Sequence, residues 1–107
     1  MPRKSTAVTI TVDDVYFIFY EHEDQLDLCL STCWCGHCKN TPRSIIVNYK
    51  AELNHLLDVV LNGFCFACDA PIKRYIETGA NPHTKKKAEA IWLTHFALKE
   101  LKIKKQR

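Results

Sequence analysis

Apolar residues fall along the chain in short blocks, and the spacing inside each block predicts its structure. In residues 6–12, TAVTITV, threonine alternates with alanine, valine and isoleucine, the period-two pattern of a strand. VYFIFY at 15–20 is rich in β-branched and aromatic residues and favours a strand; a buried helix capped by Asp13 is the alternative that periodicity leaves open. LDLCLS at 26–31 is a third strand candidate, and SIIVNY at 44–49, beyond Pro42, a fourth. In AELNHLLDVV at 51–60, Leu53, Leu56, Leu57 and Val60 recur at helical spacing, and Asn62-Gly63 supplies a stop. PIKRYIE at 71–77 fits either a strand or a short helix opened by Asp69 and Pro71. From about Thr84 to Lys104 no glycine or proline intervenes, which predicts a long helix with Thr84 as N-cap.

These elements predict an α+β fold: N-terminal strands, two cysteine-bearing turns and a long C-terminal helix. At 107 residues the expectation is one domain over 1–107, with 84–105 as its basic helix. Neither an 18-residue apolar run nor a secretory leader pattern is legible, so an intracellular, cytoplasmic protein without a membrane partner is expected.

Charge divides the chain. Residues 84–107 carry eight Lys or Arg against Glu89 and Glu100, a net +6; residues 1–83 carry seven basic and ten acidic side chains, a net −3. A basic tail of this kind suits nucleic acid, a membrane surface, the acidic half of the protein itself or plain solvation. On a helical wheel Ala90, Ala97, Leu98 and Leu101 gather on one face, able to cover a core. Trp92, Phe96 and Ile103 gather nearly opposite, which predicts a second contact such as a homodimer. The lysines spread around the axis, which favours general phosphate attraction over base readout.

Six cysteines in a reducing compartment point to metal binding or redox chemistry rather than structural disulfides. Cys35-x-x-Cys38, followed after 26 residues by Cys65-x-x-Cys68, provides two matched pairs. Each pair is spaced so that one tight turn directs both sulfurs at a single tetrahedral ion. The expected metal ligands are therefore Cys35, Cys38, Cys65 and Cys68, with Zn2+ as the ion. Cys33, two residues before Cys35, is an alternative ligand in its place. Gly36 suits a close approach within the first turn, and Asn40 and Asp69 suit left-handed backbone after the pairs. Cys29 is expected as a buried small hydrophobe on its strand, and His37 as pointing away from the ion. His22, His55, His83 and His95 are scattered and are not expected to be ligands. Trp34, Phe64 and Phe66 are expected mainly to pack around the metal, with base stacking as the alternative.

The two-pair pattern over residues 33–70 resembles the zinc-ribbon and treble-clef modules, which implies a structural zinc. Lys39 and Asp69 stand where those families often place glycine after the second cysteine of a pair. Rubredoxins use the same layout to hold iron, but they are acidic and lack a long basic C-terminal helix. Trp34-Cys35-Gly36-His37-Cys38-Lys39 also resembles the WCGHCK active site of protein disulfide isomerases, which implies a nucleophilic Cys35 and a resolving Cys38. That role requires a helix opening at the pair. Pro42 and the β-branched Ile45-Ile46-Val47 argue against such a helix, so the match is expected to be coincidental. Four thiolates close a zinc shell, and no zinc-deaminase, zinc-protease, Walker or nucleophile-elbow motif is present. The expected function is a small non-catalytic zinc module that binds nucleic acid or protein, with a thiol-disulfide oxidoreductase as the enzyme alternative.

Overall fold

The computed structural model describes residues 7–38 and 43–105. Their order is β1 (Val8–Ile10), α1 (Val12–Ile18), α2 (Glu23–Ser31), β2 (Cys33–Trp34), β3 (Arg43–Ser44), β4 (Ile46–Leu53), β5 (Val59–Cys65), β6 (Pro71–Ile76) and α3 (Pro82–Lys105). The class is α+β, as expected. An antiparallel sheet runs in the order β1-β4-β5-β6, and β2 and β3 form a separate two-stranded ribbon.

Two segments expected as strands are helices. VYFIFY lies largely in α1, capped by Thr11 rather than Asp13. The Asp14 backbone N–H donates to Thr11 Oγ1 at 3.0 Å, and the Thr11 N–H donates to Asp14 Oδ2 at 3.0 Å, a reciprocal capping box. Val15, Ile18 and Phe19 are fully buried at helical spacing, while Tyr16, Phe17 and Tyr20 face solvent. β-Propensity is therefore overridden by a cap and an amphipathic stripe. LDLCLS belongs to α2, opened by Glu23 and Asp24, whose charge suits a helix N-terminus. Leu26 is buried, and Cys29 and Leu30 pack against the core three and four residues on. Cys29 is accordingly a half-buried helical thiol and not a strand residue.

The helix expected at 51–60 is instead a hairpin. β4 runs to Leu53, β5 starts at Val59, and Leu53 pairs with Val59. Asn54 closes the loop: its Oδ1 accepts from the Leu56 and Asp58 N–H groups at 3.0 and 2.9 Å, and Leu57 adopts φ 66°. Asx-turn chemistry overrides the leucine spacing there. Asn62 and Gly63 sit inside β5, and PIKRYI is strand β6. β4 bulges between Val47 and Lys50, with Asn48 at φ 52°, opposite Gly63.

Helix α3 begins two residues before the expected Thr84. Asn81 caps it, its Oδ1 accepting from the His83 N–H at 2.8 Å, and Pro82 occupies the first helical position. Thr84 is buried, donating to the Thr78 and Asn81 carbonyls at 2.7 and 2.9 Å. The face that meets the core is also different from the expected one. Ala88 and Ile91 are buried and Trp92 packs against the core, whereas Ala90 and Ala97 are exposed. The side chains of Phe96, Leu98, Leu101 and Ile103 lie outside the described residues, so of the expected homodimer stripe Trp92 alone is described.

The helices cover one face of the sheet. Ile10, Ala51, Leu53, Val59, Leu61, Ile72 and Ile76 join α1, α2 and the start of α3 in one apolar cluster. The opposite sheet face, carrying Lys50, Phe64, Lys73 and Tyr75, is exposed. Among the described residues, no helix is long and apolar enough to cross a membrane.

Candidate metal centre

The cluster of cysteines forms where two turns meet. The first follows β2, and its Cys38 N–H donates to the Cys35 carbonyl at 3.3 Å. The second joins β5 to β6. There the Asp69 N–H donates to the Cys65 carbonyl, and the Cys65 N–H to the Ala70 carbonyl, both at 2.8 Å. Asp69 takes φ 62°, the left-handed geometry its side chain tolerates. Asn40, expected in the same role, lies outside the described residues. Gly36 has no positive φ, and a Cβ there would come no nearer than 3.9 Å to another atom, so that turn does not require glycine. Ribbon β2–β3 sets the first turn against the second: Cys33 pairs with Ser44, and the Phe66 N–H donates to the Ile45 carbonyl at 2.9 Å.

The sulfurs of Cys35, Cys38, Cys65 and Cys68 all lie within 4.8 Å of one another. Contacts cross between the turns, with Cys35 Sγ 3.5 Å from Cys68 Sγ and Cys38 Sγ 3.4 Å from Cys65 Sγ. Four sulfurs about 2.3 Å from a tetrahedral zinc stand about 3.8 Å apart, so the donor set is close to what such an ion needs. Cys33 stands apart: its thiol donates to the Cys29 carbonyl at 3.3 Å, and burial pushes its pKa up. His37 is exposed and outside the cluster.

Cys38, Cys65 and Cys68 are shifted in opposite directions by their neighbours. Ser44 Oγ lies 2.7 Å from Cys65 Sγ, and its hydroxyl, donating to the thiolate, brings Cys65 down from 9.0 to about 6. Cys38 is raised, first by its hydrogen bond to Cys65 and then by that to Cys68. At Cys68 the Ala70 backbone N–H favours the thiolate, but hydrogen bonding to Cys35 and burial carry the net shift upward. A depressed Cys65 contributes stability that is present above its unfolded value and lost as pH falls toward 6. Raised Cys38 and Cys68 contribute in the opposite sense, losing their part as pH rises through their folded values. Hydrogen bonding within the cluster thus favours the thiolate at Cys65 and the thiol at Cys38 and Cys68. A divalent ion removes the conflict by favouring all four thiolates. Ser44→Ala should raise the Cys65 pKa, let protons compete better, and move the midpoint of acid-driven zinc release to higher pH. A zinc-indicator titration would read this, and an unchanged midpoint would show the hydroxyl to be a bystander.

Trp34, Phe64 and Phe66 were expected mainly to pack around the metal; all three are instead exposed. Ser44 is the site residue that sequence reasoning missed. Its only signal was position, as the first residue of the strand expected at 44–49, after the first cysteine pair. No protein-family model matches the chain, nor does any curated protein or solved structure.

Proposed function

We propose that the chain is a zinc-stabilised module in which Cys35, Cys38, Cys65 and Cys68 hold one structural zinc ion and whose role is binding rather than catalysis. The observation that carries this is the convergence of two turns, far apart in sequence, on one point with four sulfurs within 4.8 Å. Four protein thiolates leave no coordination position for substrate or water, the arrangement of a structural site. Thiols that must remain reduced to bind metal suit a reducing intracellular compartment.

The disulfide-isomerase resemblance finds less support. An activated first cysteine needs a helix opening at its pair, yet the next described residues form strand β3. The thiol lowered by a hydroxyl neighbour, Cys65 beside Ser44, belongs to the other pair. Protein purified without added metal is expected to carry one zinc per chain and to reduce insulin no faster than free dithiothreitol alone. Metal-free protein with isomerase-like turnover would reverse the assignment.

A further inference from the structure

The face of the sheet turned away from the helices has a composition that solvation alone does not explain. Its side chains fall into three rows set by the strand register. Phe64 pairs with Pro71 in the row nearest the cysteines; Lys50, Asn62 and Lys73 form the next; Glu52, Val60 and Tyr75 form the third. Successive rows are two residues apart, about 7 Å, so the two aromatic rings flank a basic row over about 13 Å. Phe64 is 41% and Tyr75 56% exposed, and Phe66, just beyond β5, is 71% exposed. Lys73 Nζ stands 5.8 Å from the centre of the Tyr75 ring, which keeps cation and ring side by side.

Beside Phe64 and along the basic row, one row short of Tyr75, lies a groove of about 460 Å³. Its lining includes Lys50, Lys73, Asn62 and Phe64 and, among the described residues, contains no carboxylate. The nearest acid on this face, Glu52, accepts a hydrogen bond from Asn62 Nδ2 at 3.2 Å in the adjoining row. Asn48 of the β4 bulge and Gly63 also line the groove.

We propose that this face binds single-stranded nucleic acid, with bases stacked on Phe64 and Tyr75 and the phosphate backbone drawn by Lys50 and Lys73. The inference deepens the reading of the chain as a zinc-stabilised binding module and rests on it. Exposed rings on a rigid sheet offer faces on which any unpaired base stacks, and lysines between them neutralise the phosphates that connect the bases. A protein partner fits less well, because lysine is depleted from the centres of protein interfaces, whereas here two lysines occupy the middle row. Duplex fits less well too, since its bases are already stacked on one another. The cysteine turn anchors the end of β5 that carries Phe64, which is how the metal centre would serve the platform.

The test is fluorescence anisotropy with fluorescein-labelled 12-nucleotide oligouridylate and oligothymidylate, and a duplex of equal length, titrated with the zinc-loaded full chain. Zinc content is measured on each preparation. Single strands are expected to bind more tightly than duplex, and Tyr75→Ser and Phe64→Ser each to weaken binding by roughly five- to one-hundred-fold. The Lys50→Gln/Lys73→Gln pair should reduce the slope of log K against log salt by about 1.4. Preference for one of the two single strands would tell RNA from DNA as the ligand. Zinc-loaded protein that binds neither single strand overturns the inference while leaving the metal reading intact. Equal binding to duplex, or binding lost through Lys85→Gln/Lys86→Gln but not through the sheet variants, also overturns it. Metal-free protein would instead remove the reading on which the proposal rests, whatever the anisotropy shows.

Discussion

Cys65→Ser is expected to abolish the cooperative thermal transition of this protein, as a strong zinc chelator should in the unaltered chain. Cys65 is buried at the end of β5 and stands beside Ser44 and Cys38, so it ties the sheet to ribbon β2–β3. A serine there offers a poorer ligand and breaks the closed four-thiolate shell. The binding free energy of a structural zinc site is comparable with the whole stability of a small domain, so losing it leaves little margin. Circular dichroism with increasing temperature would show a broad, shallow change in place of a sigmoid. Cys33→Ser is the matched control, because that thiol bonds the Cys29 carbonyl and not the cluster; its transition should stay cooperative. A sharp, undiminished transition for Cys65→Ser would mean that the apolar core holds the fold without the ion.

The second large effect is expected from Gly63→Ala, a substitution that adds one carbon. A Cβ at residue 63 would come within 2.7 Å of the Val47 carbonyl oxygen, 2.8 Å of Ile46 Cγ1 and 2.9 Å of Tyr49 Cβ. The nearest of these is backbone on the bulged strand, which cannot swing aside as a side-chain tip would. Glycine is used here for the close approach of β5 to the bulge and not for its conformational freedom, since φ at this position is not positive. Overpacking of this kind costs about 1–3 kcal/mol, equivalent to roughly 5–20 °C in melting temperature for a domain of this size. The change would also press on the β4 bulge beside the groove. A melting temperature within a degree or two of the parent would show that β4 yields without cost.

The cysteine spacing made the candidate site legible because a C-x-x-C turn is a local geometry, fixed by a few residues wherever the pair falls. The sequence alone could not place Ser44 beside Cys65, since that contact joins residues 21 apart and depends on the register of β4, which starts two residues after Ser44, against β5. The long C-terminal helix was equally visible, for it contains no breaker over many turns. Its inward face was misjudged because a helical wheel cannot tell which stripe meets the rest of the fold; α3 packs on α1 and turns Ala88 and Ile91 into the core. The N-terminal helices were hidden by composition. Tyr16, Phe17 and Tyr20 raise the β-propensity of α1, yet they face solvent, and the buried set Val15, Ile18 and Phe19 has helical spacing. The 51–60 segment failed in the reverse direction, where leucines at helical spacing are split by an Asn54 turn whose side-chain bonds outweigh them.

Native mass spectrometry of the chain and its single serine variants tests the metal centre most directly. The unaltered protein and Cys33→Ser are expected to carry one zinc ion per chain, and Cys35→Ser, Cys38→Ser, Cys65→Ser and Cys68→Ser each to lose it or hold it only at high zinc concentration. A metal-free parent, or zinc retained by Cys65→Ser and lost from Cys33→Ser, would contradict the assignment of four thiolates to one ion.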